Sequence, residues 1–202
     1  MFIKRNALAT AVGIACVAIS GNSFAAALDR SGQSIAPFLQ PGNYAEIGIS
    51  SLHPTVEGKD TSGNATGDMA NSYNFWNAAI KIQPTDMLSF GLIFDEPFGA
   101  SATYKGVNNF VADGSAGFRG NTDVDVKSRN LSAIIGIKPV KGLTVYGGGV
   151  YQEVEGDVSL RGSVYSAFNG YTANIDKEGA WGWLAGAAYE IPDIALKASI
   201  TY

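Results

Sequence analysis

The sequence constrains the fold most strongly through a series of short segments in which apolar and polar side chains alternate. A period of two is typical of a β-strand that turns one face towards an apolar environment. On this basis we predict seven strands, at residues 44–52, 73–83, 88–95, 131–138, 143–154, 181–190 and 195–202. The chain is therefore expected to be all-β.

The connections between the predicted strands alternate between short and long. Turns of a few residues lie near positions 84, 140 and 192, whereas the loops at 53–72, 96–122 and 155–180 are several times longer. Outer-membrane β-barrels have this asymmetry, with short periplasmic turns and long extracellular loops. A soluble β-sandwich also has alternating strands, but its loops need not sort by end. The pattern favours an antiparallel up-and-down transmembrane barrel over a sandwich.

Seven is an unusual strand number for such a barrel. Bacterial barrels are closed and normally have an even number of strands, because an open edge in lipid leaves backbone groups without hydrogen-bond partners. We therefore expect residues 43–202 to form the first half of a barrel, in a truncated chain about twice as long when complete.

The first 25 residues read as a signal peptide. Lys4 and Arg5 precede a short apolar run at 7–19, and residues 23–25 form a small-x-small cleavage site. Cys16 is the one cysteine of the sequence and lies inside this segment. The exported chain is therefore expected to contain no thiol and no disulfide.

Charge and motif content exclude several function classes. The 18 acidic residues outnumber the 14 Lys and Arg residues, which leaves no basic field for a nucleic acid. His53 is the sole histidine and has no paired serine context, so a serine hydrolase is not expected. The acidic residues show no metal-ligand spacing, and the glycines at 147–149 lie in a predicted strand. We expect no catalysis, no cofactor and no metal.

The predicted third strand stops abruptly. Phe90, Leu92 and Phe94 alternate with Gly91, Ile93 and Asp95, and then Pro97 and Gly99 interrupt the pattern. Proline has no amide hydrogen to give to a sheet, and glycine relaxes the backbone. The interruption is either a defect in the wall of the barrel or an ordinary strand end at its rim.

The run DEPFGASATY and the strand pair that follows at 123–154 resemble the FadL family of outer-membrane long-chain fatty-acid transporters. The similarity spans about residues 26–202 and is strongest at 75–162. The resemblance implies a barrel of about 14 strands with an N-terminal hatch, a capture groove among the loops, and a lateral opening at a kink of the third strand. Residues 26–42 would be a shortened hatch, without an Asn-Pro-Ala motif. The kink would comprise Asp95, Glu96, Pro97, Phe98, Gly99 and Ala100.

Two further sets of residues are candidates for ligand contacts. A hydrophobic groove in the loops could be formed by Phe98, Phe110, Val111, Phe118, Phe168 and Tyr171, although these side chains could equally pack the loops on each other. A carboxylate headgroup could meet Arg129, Lys105 or Arg119, with Arg161 a further candidate, although each could instead be a solvated charge or a lipopolysaccharide contact. Lys81, Lys138 and Lys197 fall on the predicted lumenal face.

Together these patterns predict a multi-pass protein of the bacterial outer membrane that takes up long-chain fatty acids or other hydrophobic compounds by diffusion. Outer-membrane lipid, lipopolysaccharide and the barrel-assembly machinery are the expected partners. A structural or adhesive barrel and a general porin are the alternatives. A porin would have an open polar lumen, whereas the transporter would have a plugged one.

Overall fold

The structure is a computed structural model that describes residues 32–202. The predicted signal peptide and the first part of the predicted hatch, residues 26–31, lie outside the described residues.

The described chain forms one curled antiparallel sheet and a small hairpin, so the all-β prediction is confirmed. The strands are β1 Tyr44–Leu52, β2 Tyr73–Ile82, β3 Leu88–Asp95, β4 Gly99–Thr103, β5 Val111–Asp113, β6 Arg119–Asn121, β7 Asp123–Val140, β8 Leu143–Ser159, β9 Thr172–Ile191 and β10 Leu196–Thr201. The main sheet follows the order β1-β2-β3-β7-β8-β9-β10 and curls into a half-barrel, with β4 pairing to β7 beyond the end of β3. Strands β5 and β6 pair only with each other.

All seven predicted strands have counterparts in the sheet, but three of them are longer than predicted. β7 begins at Asp123, β8 continues to Ser159, and β9 begins at Thr172. Their added parts contain few apolar residues, and the short alternation at 123–126 ends in the polar run 127–130, so the strand signal is weak. Backbone pairing along the whole of β7 and β8 keeps them extended, and it shortens the loop predicted at 155–180.

The convex face of the sheet carries a continuous band of apolar side chains. Sheet register places Ile80, Leu92 and Ala133 in one row across β2, β3 and β7. Many members of the band are between 42% and 81% exposed: Ile47, Ile49, Trp76, Ile82, Phe90, Ile135, Ile137, Trp181, Trp183 and Ile200. Towards the long loops the same face becomes charged, with Arg129 and Lys127 on β7 opposite Glu153 and Glu155 on β8. The band therefore has a defined edge.

The concave face is partly covered by residues 32–42, which we call the N-terminal segment. Its Phe38 is 2% exposed, and the ring lies against Gly91 of β3 and Gly136 of β7. A Cβ atom added to Gly91 or Gly136 would lie 2.5 or 2.8 Å from the nearest Phe38 ring carbon. Tyr146 of β8 meets the same ring edge-on, with 5.8 Å between centroids. The two glycines thus form the socket that receives Phe38.

Two lysines from distant strands bind backbone oxygens of the N-terminal segment. Lys81 of β2 donates a hydrogen bond to the Gln40 carbonyl, and Lys197 of β10 donates to the Leu39 carbonyl over 2.9 Å. β2 and β10 lie near opposite ends of the strand order, so the sheet curls far enough for one short segment to contact both.

Candidate functional site

The predicted kink is an interruption between β3 and β4, which otherwise act as one strand against β7. Asp95 pairs with Asn130 and Gly99 pairs with Lys127, so three residues of the kink oppose two residues of β7. An extra residue on one strand is a β-bulge. Ser128 of β7 holds the bulge, because its hydroxyl accepts from the Phe98 amide at 2.9 Å and donates to the Phe98 carbonyl at 2.8 Å.

On the other side of the kink the sheet is open. Pairing of β2 with β3 ends at Asn77 and Asp95. It resumes only at Ala70, seven residues before Asn77, and Ala102, seven residues after Asp95. Residues 72–76 and 96–100 therefore face each other outside the paired register, and we call this gap the window. The pairs at both ends of the window belong to the same register, so the two segments separate without a shift in their alignment.

Two groups at the ends of the window tie it together. At one end the Trp76 amide donates to the Glu96 carboxylate at 3.1 Å, where a strand carbonyl would otherwise accept. At the other end the Asn71 side chain donates to the Thr103 hydroxyl at 2.8 Å, beside the Asn71 to Ser101 backbone bond of 3.0 Å. The window is thus bounded by polar contacts.

The candidate carboxylate partners lie away from the concave face. Arg129 lies on the convex face, where it is 3.7 Å from Glu96 and 3.6 Å from Glu155. Lys105 is exposed in a loop. Arg119 is exposed near Asp113; hydrogen bonds from Ser115, followed by the smaller effect of the Arg119 charge, lower the pKa of the Asp113 carboxyl.

Arg161 is occupied by its own loop, donating to the Leu160 and Tyr171 carbonyls and to the Thr172 hydroxyl at 2.7 to 2.9 Å. A role for any of these four cations in binding a headgroup stays a prediction.

The loop residues predicted to form a groove do not all come together at one place. Phe110 packs within the loops, stacked on Tyr104 with 4.5 Å between centroids and edge-on to Tyr165 at 6.0 Å. Val111 and Phe118 line a loop cavity of about 320 Å³. The structure brings neither Phe168 nor Tyr171 to that cavity, although both are exposed, and Phe98 lies in the kink. The groove stays a prediction.

The loops themselves are organised by Asp60. Its carboxylate accepts from the amides of Ser62 at 2.9 Å, Asn64 at 2.8 Å and Asn109 at 2.8 Å, and from the Asn64 side chain at 3.0 Å. Burial alone would raise the pKa of Asp60, but these donors hold it below its ordinary value of 3.8. One carboxylate thereby joins the first long loop to the second.

Two cavities lie on the concave face, on either side of the N-terminal segment. One has about 390 Å³ and reaches Asn130, Ser132 and Gln152 on β7 and β8; we call it the β7-side cavity. The other has about 400 Å³ and reaches Glu46 and Asn77; we call it the β2-side cavity. Ser34, Ile93 and Asp95 line both cavities, so Asp95 stands where the two meet at the base of the kink.

Asp95 and two neighbouring polar residues on β7 are buried where the β7-side cavity begins. Asp95 is 4% exposed, Asn130 opposite it is 3% exposed, and Ser132 is 5% exposed. The Asn130 amide donates to the Ser132 hydroxyl at 3.2 Å. Asp95 Oδ1 and Asn130 Oδ1 have no hydrogen-bond partner. Buried polar atoms without partners are rare and need an explanation.

Sequence reasoning missed Asn130, Ser132 and Phe38. Asn130 and Ser132 share the inward parity of β7, but a loop of more than twenty residues separates them from Asp95, so the register could not be read from the sequence. Phe38 carried one usable signal, because a phenylalanine in a short irregular segment needs an apolar partner.

Neither a family model nor a curated protein matches this chain. Across residues 32–202, no helix is long and apolar enough to cross a membrane. The same part of the chain shows no group of three or more His, Cys, Asp or Glu side chains placed to hold a metal ion.

Proposed function

We propose that this chain forms part of the wall of an outer-membrane β-barrel, and that the barrel takes up hydrophobic compounds. The observation that carries the proposal is the exposed apolar band on the convex face. Large contiguous apolar patches on a protein surface indicate contact with lipid or with another protein. In this reading lipid covers the band.

The dimensions of the band support lipid as its environment. On β7 the band runs from Leu131 to Val140, both exposed. Nine residue steps extend about 30 Å along a strand, which becomes about 23 Å for a strand tilted by about 40°. Outer-membrane barrels have an outward apolar band about 25 Å tall. A second sheet of a soluble sandwich would cover the same face, but the band ends in a charged belt, as expected at a membrane interface.

A wall in lipid also has to close. The strand order leaves the outer edges of β1 and β10 without sheet partners among the described residues. Unpaired backbone groups in a bilayer cost several kcal/mol each, so we expect further strands to pair with both edges.

Transport of hydrophobic compounds is favoured over a general porin by the N-terminal segment. It occupies the concave face through Phe38 and is bound by Lys81 and Lys197, which is the placement expected of a plug. An open porin lumen would leave this volume to water. The window beside the kink supplies a route that a purely adhesive barrel does not need: an apolar ligand would leave sideways into the bilayer.

Uptake of labelled oleate and other hydrophobic compounds tests the proposal. The complete protein is expressed in a bacterial strain without its own fatty-acid transporter. Uptake above the empty strain, with low ion conductance in planar bilayers, is the expected result. High conductance without uptake would support a porin, and neither activity would support a structural or adhesive barrel.

A reversible clamp tests the window. Ser72→Cys with Ala100→Cys places two cysteines opposite each other in the interrupted register, and Ala70→Cys with Ala102→Cys places a matched pair where the strands already meet. Oxidation of the first pair should stop uptake and reduction should restore it, whereas the second pair should have little effect. Full uptake through a verified disulfide in the first pair would exclude lateral exit.

A further inference from the structure

We propose that the site at the base of the kink selects hydrophobic ligands that carry a hydrogen-bond donor, such as a hydroxyl or an ammonium group, over ligands that carry a free carboxylate. This inference rests on the proposed function and gives the chemical class of its ligand.

The first observation is an excess of acceptors. Asp95, Asn130 and Ser132 together present four side-chain oxygens, but with the carboxylate ionised they hold three hydrogens, two on the amide and one on the hydroxyl. Exchanging the oxygen and nitrogen of the Asn130 amide does not change this balance. At least one of the four oxygens therefore lacks a donor within this group, and the Oδ1 atoms of Asp95 and Asn130 have no hydrogen-bond partner in the rest of the described chain. A ligand that brings a donor would supply what is missing.

The second observation is the sign of the charge around both cavities. The residues that line the β7-side and β2-side cavities include the carboxylates Glu46 and Asp95 and, within the described chain, no lysine or arginine. Glu46 is already hydrogen-bonded to the Tyr44 hydroxyl at 2.6 Å and to the Asn77 amide at 3.3 Å. A second carboxylate entering beside Asp95 would meet a like charge in a poorly solvated place.

The third observation is where the cations are. Lys81 and Lys197 bind the carbonyls of Gln40 and Leu39 in the N-terminal segment, and Arg129 lies on the opposite face of the sheet with two glutamates. None of them lines either cavity. The apolar surface for the ligand chain is close by, because Ile93 and Ile134 line the β7-side cavity with Asp95.

Four probes with the same twelve-carbon chain separate the possibilities: dodecanol, dodecylamine, dodecanoate and methyl dodecanoate. Their binding to the complete purified protein is measured at pH 7.5 by equilibrium competition against a fluorescent hydrophobic probe. We expect dodecanol and dodecylamine to bind at least about ten-fold more tightly than dodecanoate, because a hydrogen bond to a buried charged acceptor changes affinity by about that factor. Methyl dodecanoate, which has neither donor nor charge, should fall between.

Variants assign the preference to this site. Asn130→Leu and Asp95→Leu should each remove most of the advantage of dodecanol over methyl dodecanoate and leave methyl dodecanoate binding unchanged. Asp95→Asn, which nearly preserves the shape, should mainly reduce the preference for dodecylamine. Glu153→Gln on the convex face is the matched control and should change none of the ratios.

Three outcomes would overturn the inference. Dodecanoate binding as tightly as dodecanol would refute the preference and leave the proposed transport function standing. Unchanged ratios in all three variants, with folding verified by heat-dependent gel mobility, would place the preference elsewhere. Absence of binding by all four probes would contradict the inference and the proposed function together.

Discussion

The contact between Phe38 and its glycine socket yields the prediction that the structure defines most closely. Phe38→Ala removes a ring that is 2% exposed. Burying a phenylalanine removes on the order of 150 Å² from water, so at about 25 cal/mol per Å² the loss is about 4 kcal/mol, within the usual range for this truncation. We expect the N-terminal segment to detach before the sheet unfolds, so this loss should appear in the free energy that holds the segment on the concave face.

Gly136→Ala tests the same contact by adding a methyl group to the glycine that faces Phe38. The added Cβ would lie 2.8 Å from two ring carbons of Phe38, so we expect a loss of about 1–3 kcal/mol from overpacking. In the Phe38→Ala background the same substitution has free space and should cost about 0.5 kcal/mol or less. Gly149→Ala is the control, because an added Cβ there has no neighbour within 4 Å.

Hydrogen exchange of the Phe38 and Leu39 amides reports on this contact directly. Both donate within the segment, to Ile35 at 3.0 Å and to Ala36 at 3.1 Å, and both should exchange faster once the segment detaches. The assay uses the complete protein in detergent micelles. If Gly136→Ala is equally costly with and without the Phe38 ring, the socket does not form and the placement of the segment is wrong.

The remaining predictions concern the loops and the window. Because the folded-state pKa of Asp60 is depressed, its stabilising contribution is present above the ordinary pKa of 3.8 and is lost as the pH falls through the lower folded value. Proteolysis of the loops should therefore accelerate in that acid range, and the loops of Asp60→Asn should be cleaved readily even at neutral pH. Glu96→Ala should speed exchange of the Trp76 amide, since its acceptor at 3.1 Å is removed, whereas a Glu96→Gln variant that still accepts should not. Arg129→Ala should change the free energy of unfolding by less than about 1 kcal/mol, because its ion pairs are partly exposed and longer than 3.5 Å; a larger loss would show that the pairs stabilise the kink.

The sequence was informative where one face of a strand differs from the other. β1 and β3 have the predicted bounds, since alternation and turn residues mark both of their ends. The outer parts of β7, β8 and β9 could not be predicted, because they contain too few apolar residues to mark one face, and pairing with neighbouring strands keeps them extended. The alternation of residues within one segment does not show which distant strands pair with it.

The candidate site was predictable only in part. Pro97 and Gly99 mark the kink in the sequence, and the structure places the interruption there. The window depends on how residues 69–71 return to pair with β4, and the buried site depends on Asn130 lying opposite Asp95. Both are contacts between residues about thirty positions apart, and the periodicity of a sequence does not predict such contacts.

Contact between lipid and the convex face of β7 is the central claim, and it can be measured directly. The described residues contain no cysteine, so spin labels can be introduced singly at positions 131 to 137 of the complete protein in vesicles. Collision with oxygen and with a water-soluble nickel complex is then measured at each position. A wall in lipid predicts high oxygen and low nickel accessibility at Leu131, Ala133, Ile135 and Ile137, with the pattern lost at the intervening residues. Exclusion of both reagents at the four positions would indicate a covering protein layer, and access by nickel would indicate water; either result would contradict a wall in lipid.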